Sequence, residues 1–117
     1  MSGPIPEWNN AISNAAYTYF GNKNISGSIP KWNNIITNAS NTYHECTALT
    51  GDIPLWNNTI TNADQTYRNC KNISGTIGET DEELMPATIS SHANTVIGCS
   101  SNIRSKFLEN WGGTRTN

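Results

Sequence analysis

The sequence predicts an α/β repeat solenoid, with parallel strands on one side of each coil and short helices on the other. Two observations lead to this fold class: a repeat with a period of 24 residues, and two different side-chain periodicities inside each repeat. Repeats of about 20–50 residues are typical of stacked architectures, in which each unit buries its apolar face against its neighbours. The columns that keep the spacing are Gly3, Gly27, Gly51 and Gly75; Ile5, Ile29, Ile53 and Ile77; Trp8, Trp32 and Trp56; and Tyr19, Tyr43 and Tyr67.

Each repeat combines a strand-like and a helix-like segment. Residues 49–53 alternate apolar and polar side chains, which is the pattern of a strand with one buried face. Ile60, Ala63, Tyr67 and Cys70 then follow at steps of three and four, which places them on one face of a helix. The five strand residues and a return helix of about 11 residues both span roughly 16 Å, so they can close one coil. Asn and Thr are weak helix formers, so an irregular return segment is the alternative.

The repeats predict four coils over residues 1–101, with an irregular fourth coil that carries an insertion at residues 79–83. Strands pack closer together than helices do, so we expect the stack to curve with the sheet inside. Residues 102–111 are predicted to form a capping helix, because three apolar side chains recur there every four residues. The tail, residues 112–117, is expected to be flexible. The apolar stripe of the cap consists of Ile103, Phe107 and Trp111.

Composition excludes several function classes. The 117 residues include 18 Asn, 14 Thr and 11 Ser, and no apolar stretch approaches the length of a membrane span. A net charge of −2 with seven basic residues argues against a nucleic-acid-binding surface. His44 and His92 are isolated from other ligands and no CxxC occurs, so we expect no metal and no cofactor. No nucleophile–base pair or phosphate-binding loop is visible, so we do not expect an enzyme.

The repeats resemble those of the BspA-like branch of the leucine-rich-repeat proteins. Residues 56–63, followed by Tyr67, Cys70 and Ile73, are similar to that repeat, while residues 49–54 are similar to the L-x-G-x-I-P segment of plant-type repeats. Each repeat is one residue shorter than the usual BspA-like unit and lacks its full leucine set. The resemblance implies a short leucine-rich-repeat-like coil in an adhesive protein of a bacterial surface or a phage. It supplies no catalytic residues.

Two sets of side chains are candidates for ligand binding. The tryptophan column could stack on a glycan, although packing at the corner between strand and return segment is the more ordinary role for these rings. The outward-facing strand residues would form a polar concave strip, which solenoids commonly use for binding. The candidate residues are Trp8, Trp32 and Trp56 in the column, and Ser26, Ser28, Thr50, Asp52, Ser74 and Thr76 in the strip.

The first coil is a candidate assembly edge. Its repeat begins within three residues of Met1, so we expect no N-terminal cap and an apolar edge with unpaired backbone groups. Another chain, either a second copy or an assembly component, is predicted to cover it. The edge residues are Ile5, Ile12, Ala15 and Tyr19.

These observations favour a non-catalytic structural or adhesive repeat protein, displayed on a virion or a cell surface and acting through protein–protein assembly. The alternative is a module that recognises a glycan or a host receptor. The first residues show no secretory signal, which favours a virion component over a secreted surface protein.

Overall fold

The computed structural model describes residues 2–116. We divide these residues by the sequence repeat into unit 1 (2–24), unit 2 (25–48), unit 3 (49–72) and unit 4 (73–101), followed by the C-terminal segment (102–116). The regular elements are the strands β1 (Gly3–Pro4), β2 (Ile25–Ser28), β3 (Leu49–Thr50), β4 (Asp52–Ile53) and β5 (Gly75–Thr76), and the helices α1 (Asp81–Leu84) and α2 (Ser101–Arg104), with a 3₁₀ turn at Glu109–Trp111.

The strands of successive units pair in parallel. One sheet has the order β1-β2-β3 and a second pairs β4 with β5. Gly3 pairs with Ile25, Gly27 with Leu49 and Asp52 with Gly75. The φ angle of Gly51 is 77°, in the left-handed region that glycine adopts without strain, and this residue separates β3 from β4.

The return segments are turns, so the short helices expected at residues such as 60–70 do not form. Left-handed residues recur inside these segments, at Asn41 (φ 55°) and Gln65 (φ 57°) for example, and a right-handed helix cannot contain them. The side chains of Asn38 and Asn62 accept hydrogen bonds from the backbone N–H two residues later. This local bonding competes with the helix and favours the turn.

Backbone hydrogen bonds also join the return segments of successive units. Parallel bridges connect Asn14 to Asn38, Asn38 to Asn62 and Asn62 to Ser91. The last offset is longer because unit 4 contains the insertion. Since backbone bonds set the spacing on both sides of each unit, the difference between helix and strand packing that predicted a curved stack is absent.

The core lies between the strands and the return segments and is built from the repeat columns. Ile25, Ile36, Leu49 and Ile60 are fully buried. Two aromatic columns run through the units with stacked rings. The tryptophan centroids are 5.6 and 5.9 Å apart, and the Tyr19, Tyr43 and Tyr67 centroids 5.7 Å apart. Such stacking joins neighbouring units through side chains as well as backbone.

The C-terminal segment differs from the predicted continuous helix over residues 102–111. It contains one turn of α-helix, α2, and a separate 3₁₀ turn, because Leu108 between them has an extended backbone (φ −68°, ψ 159°). Its three apolar side chains are nevertheless buried. They are Ile103, Phe107 and Trp111.

The tail, residues 112–117, was expected to be flexible, but its described part, residues 112–116, is held by hydrogen bonds. The N–H of Thr114 donates to Arg104 and that of Arg115 to Phe107. The Arg115 guanidinium also binds both carboxylate oxygens of Asp81, at 2.8 and 3.0 Å. The sequence gives no sign of this pairing between distant positions, and the flexibility expected of the tail stays a prediction. Asn117 lies outside the described residues.

The acidic insertion forms the start of α1 rather than a plain loop. Thr80 caps this helix: its Oγ1 accepts from the Glu83 N–H, and the Glu83 carboxylate accepts from the Thr80 N–H, which is a capping box. The two hydrogen bonds from Arg115 lower the pKa of Asp81, and backbone N–H groups lower that of Glu83.

Replacing Asp81 with Asn should lower the melting temperature slightly at pH 7, and the difference from wild type should shrink as the pH falls. The folded pKa of Asp81 lies below its unfolded pKa, so its stabilising contribution is present above the unfolded pKa and is lost as the pH falls through the folded one. Thermal unfolding at several pH values measures this. Glu82→Gln, at an exposed neighbour, is the matched control, and an equal pH-dependent loss in both variants would contradict the assignment.

Candidate functional site

The tryptophan column belongs to the core rather than to an open binding surface. Trp8 and Trp32 are 9% and 6% exposed, and Trp56 is partly buried. The faces of Trp32 are covered by its two neighbours in the column, with interplanar angles of 13° and 11°. The indole N–H of Trp56 donates to the Leu84 carbonyl. A glycan that stacks on an aromatic ring needs a free ring face, and Trp32 has none.

The predicted strip of outward strand residues lies at the surface. Its members are exposed or half-buried, and Thr76 accepts a hydrogen bond from Lys106. Beside the strip is an open groove of about 510 Å³, whose lining is mainly apolar. The groove brings together two members of the strip with two exposed aliphatic side chains, Leu55, which the sequence analysis did not single out, and Ile77, which leaves the buried face that Ile5, Ile29 and Ile53 share in the same column. The lining residues are Ser28, Ile29, Lys31, Gly51, Asp52, Pro54, Leu55 and Ile77.

The predicted assembly edge needs correction. Ala15 is fully buried and Ile5 is 9% exposed, while Ile12 and Tyr19 are partly buried. Ile5 and Ala15 point into the core because a single coil already surrounds part of its own interior. They are therefore not available to a partner.

The apolar surface of unit 1 is formed by two residues that the sequence analysis missed. Tyr17 is 61% and Phe20 47% exposed, and their ring centroids lie 5.8 Å apart. Phe20 also packs edge-on against His44, at 4.6 Å. The repeat contains a signal that could have revealed Tyr17: the same column holds Asn41 and Gln65 in the next units, so an aromatic residue there departs from a polar position.

A row of backbone carbonyls lies next to this aromatic pair. Among residues 2–116, no group donates a hydrogen bond to the carbonyls of Asn14, Ala16, Thr18 or Phe20. All four residues are exposed or half-buried. We call the aromatic pair and these four carbonyls the N-terminal face.

The opposite end of the chain is closed by the C-terminal segment. The Trp111 ring stacks on His92, with centroids 4.2 Å apart and an interplanar angle of 3°. The Val96 N–H donates to the Trp111 carbonyl at 3.0 Å. Within residues 2–116 the two ends therefore differ, because the chain covers one end and leaves the N-terminal face uncovered.

The three cysteines lie at buried positions where neighbouring units meet. Cys46, Cys70 and Cys99 are buried free thiols, and each Sγ donates to the backbone carbonyl of a tyrosine in the preceding unit, at 2.9–3.0 Å. Burial raises the pKa of Cys46 and Cys99 to about 12 and also raises that of Cys70. The thiols therefore join neighbouring units and are poor nucleophiles at neutral pH.

We expect the three thiols to resist a disulfide reagent in the folded protein at pH 8. A pKa of about 12 leaves roughly one thiolate in ten thousand at that pH, so the native reaction should be at least about a hundredfold slower than in denaturant. A colorimetric thiol assay with and without guanidinium measures this. Rapid reaction of any thiol in the native protein would contradict the burial described here.

No helix among residues 2–116 is long and apolar enough to cross a membrane. The same residues contain no group of three or more His, Cys, Asp or Glu side chains that could hold a metal ion. Comparisons with protein-family models, curated proteins and solved structures found no significant match for this chain. The resemblance to BspA-like repeats therefore depends on the repeat pattern alone.

Proposed function

We propose that this chain is a short, non-catalytic solenoid protein that acts by assembling with another protein chain through its N-terminal face. The observation that carries this proposal is the exposure of Tyr17 and Phe20 beside four backbone carbonyls without donors in the described chain. Exposed aromatic side chains and open backbone edges are both typical of protein interfaces. The resemblance to BspA-like repeats favours display on a virion or a cell surface.

Photo-crosslinking in the cells or particles that contain the protein tests this function. A photoreactive phenylalanine analogue at position 17 is expected to give a discrete crosslinked product, which Phe20→Ser should reduce. The matched control carries the analogue at Leu55, which is 44% exposed on another surface. Equal, diffuse background at both positions would contradict assembly through the N-terminal face.

The second candidate function is receptor recognition through the groove beside the strands. Leu55 and Ile77 are 44% and 56% exposed there, and Lys31 and Asp52 supply one charge of each sign. This lining suits an apolar side chain of a protein receptor better than a glycan. Loss of receptor or glycan-array binding on Leu55→Ser, with Tyr17→Ser unaffected, would favour this candidate over assembly at the N-terminal face.

A further inference from the structure

We propose that the N-terminal face receives one more coil of this repeat type, supplied by another polypeptide chain, whose backbone N–H groups pair with the carbonyls of Asn14, Ala16, Thr18 and Phe20. This inference rests on the proposed function and specifies its partner. It derives from the way in which the units of this chain already join one another.

Most backbone bonds between the return segments run in one direction, although at the start of each segment the bond is reversed, with the Thr37 N–H donating to Ser13 and the Thr61 N–H to Thr37. At each of the three junctions, N–H groups at four alternate positions of one unit donate to carbonyls of the following unit, at 2.7–3.0 Å. Left-handed residues recur at every fourth position in these segments, at Tyr17 and Gly21 of unit 1 for example, and both lie within the row of donors. Along this row of alternate positions, each return segment therefore presents four N–H groups to the following unit and four carbonyls to the preceding one. The donors facing unit 2 are Ala15, Tyr17, Tyr19 and Gly21.

Side-chain donors run in the opposite direction. Nδ2 of Asn33 donates to the carbonyls of Asn9 and Ile12 in unit 1, at 2.8 and 2.9 Å, and Oγ1 of Thr42 donates to Ala15. The residue of unit 1 that corresponds to Asn33 is Asn9. Its Nδ2 has no acceptor among residues 2–116, so unit 1 presents the same donor to a preceding coil.

At unit 1 of the described chain, the two aromatic columns also end on rings that are stacked on one side only. Trp32 stacks on a tryptophan on each side and Tyr43 on a tyrosine on each side, at 5.6–5.9 Å. Within the described residues, Trp8 and Tyr19 have a stacked partner of the same type on one side only. The four carbonyls of the N-terminal face, together with the Asn9 amide and the rings of Trp8 and Tyr19, thus repeat the groups with which units 2 and 3 bind the unit before them.

The direction of these hydrogen bonds indicates which kind of partner can bind the N-terminal face. Two copies meeting through their N-terminal faces would place one row of carbonyls against the other, and these repel, with no row of N–H groups to satisfy them. Head-to-tail contact with a second copy would need the outward N–H groups of unit 4, where Trp111 already accepts from Val96 and Gly112 lies against Asn94. A coil with an uncovered N–H row satisfies the face, and an intact second copy does not.

A tandem fusion tests the complementarity directly. A copy of residues 25–48 placed immediately before Met1 keeps the 24-residue period, and the matched control carries the same residues in scrambled order. The added amides that correspond to Ala39, Asn41, Tyr43 and Glu45 should exchange at least about tenfold more slowly in the ordered fusion than in the scrambled one. Because the added coil is covalently attached, its docking is intramolecular and can be detected even where the affinity is weak.

Two results would overturn the inference. One is exchange of the added coil as fast as the scrambled control. The other is a dimer of the unmodified chain, found by sedimentation, that Tyr17→Asp abolishes, because the occupant would then be a second copy. Crosslinking from position 17 without docking of the fused coil would leave the proposed function standing and remove this inference. Docking of the coil without any crosslink would show that the face accepts such a coil but would remove the proposed function, and with it the partner inferred here.

Discussion

Replacing Trp32 with alanine is expected to lower the free energy of unfolding by about 3–5 kcal/mol, the range seen for large aromatic residues removed from a core. Trp32 is 6% exposed and stacks between Trp8 and Trp56 at 5.6 and 5.9 Å. It also packs against Tyr43, at 5.7 Å. The substitution removes contacts with one ring in each of the two adjoining units and with one ring in its own unit, so the cavity cannot close by movement of one side chain. Urea unfolding followed by circular dichroism measures the loss.

Two further variants make this result specific. Trp32→Phe keeps an aromatic ring in the column and should cost clearly less than alanine. Ile35→Ala, at a nearby residue that is 40% exposed, should change stability by less than about 1 kcal/mol. A loss below about 1 kcal/mol for Trp32→Ala would contradict a stacked core column and would revive the interpretation of these rings as a ligand surface.

Replacing Asn33 with alanine is expected to cost about 2–4 kcal/mol, because it removes four hydrogen bonds to the backbone and leaves the N–H of the buried Ile36 without a partner. Asn33 is 7% exposed. Its Nδ2 donates to two carbonyls of unit 1, and its Oδ1 accepts from the N–H groups of Ile35 and Ile36 at 3.0 and 2.8 Å. One side chain therefore shapes the turn in unit 2 and attaches that unit to unit 1.

The adjacent asparagine provides a matched control for this prediction. Asn34 is exposed, so Asn34→Ala should change the free energy of unfolding by less than about 0.5 kcal/mol. Asn33→Asp keeps the acceptor but loses the amide donor and adds a charge beside two carbonyls, so it should also be strongly destabilising at neutral pH. Equal effects at positions 33 and 34 would contradict the described role of Asn33.

The strands and the buried columns could be predicted because the repeat shows each position several times. Ile25, Leu49 and Ile73 recur at the same place in successive units, and all three are buried. Apolar and polar side chains alternate around these residues, which indicates which face of each strand is buried. Comparing the copies shows which positions always hold an apolar residue, and a single short segment cannot show this.

The return segments could not be predicted as reliably, because spacing alone does not distinguish a helix face from a series of turns. Ile60, Ala63 and Tyr67 are buried, as a helical stripe would be. The backbone nevertheless turns at Gln65, which has a φ of 57°, and Asn62 bonds to the N–H of Asp64. The preference of Asn for turns outweighs the apolar spacing here.

The assembly edge was only partly predictable for a related reason. A column at the end of a stack was expected to be exposed along its apolar side, yet Ala15 is enclosed by its own coil. The exposed aromatic residues are those that depart from the repeat, Tyr17 and Phe20. Residues that differ between copies therefore mark this surface better than residues that are shared.

The central claim is that equivalent residues of successive units lie side by side, and nuclear Overhauser contacts in solution test it most directly. We expect such contacts to link Asn14 to Asn38 and Asn38 to Asn62. We also expect them between the rings of Tyr19, Tyr43 and Tyr67. Runs of short-range helical contacts through residues 60–70, without any contact between positions 24 residues apart, would contradict it.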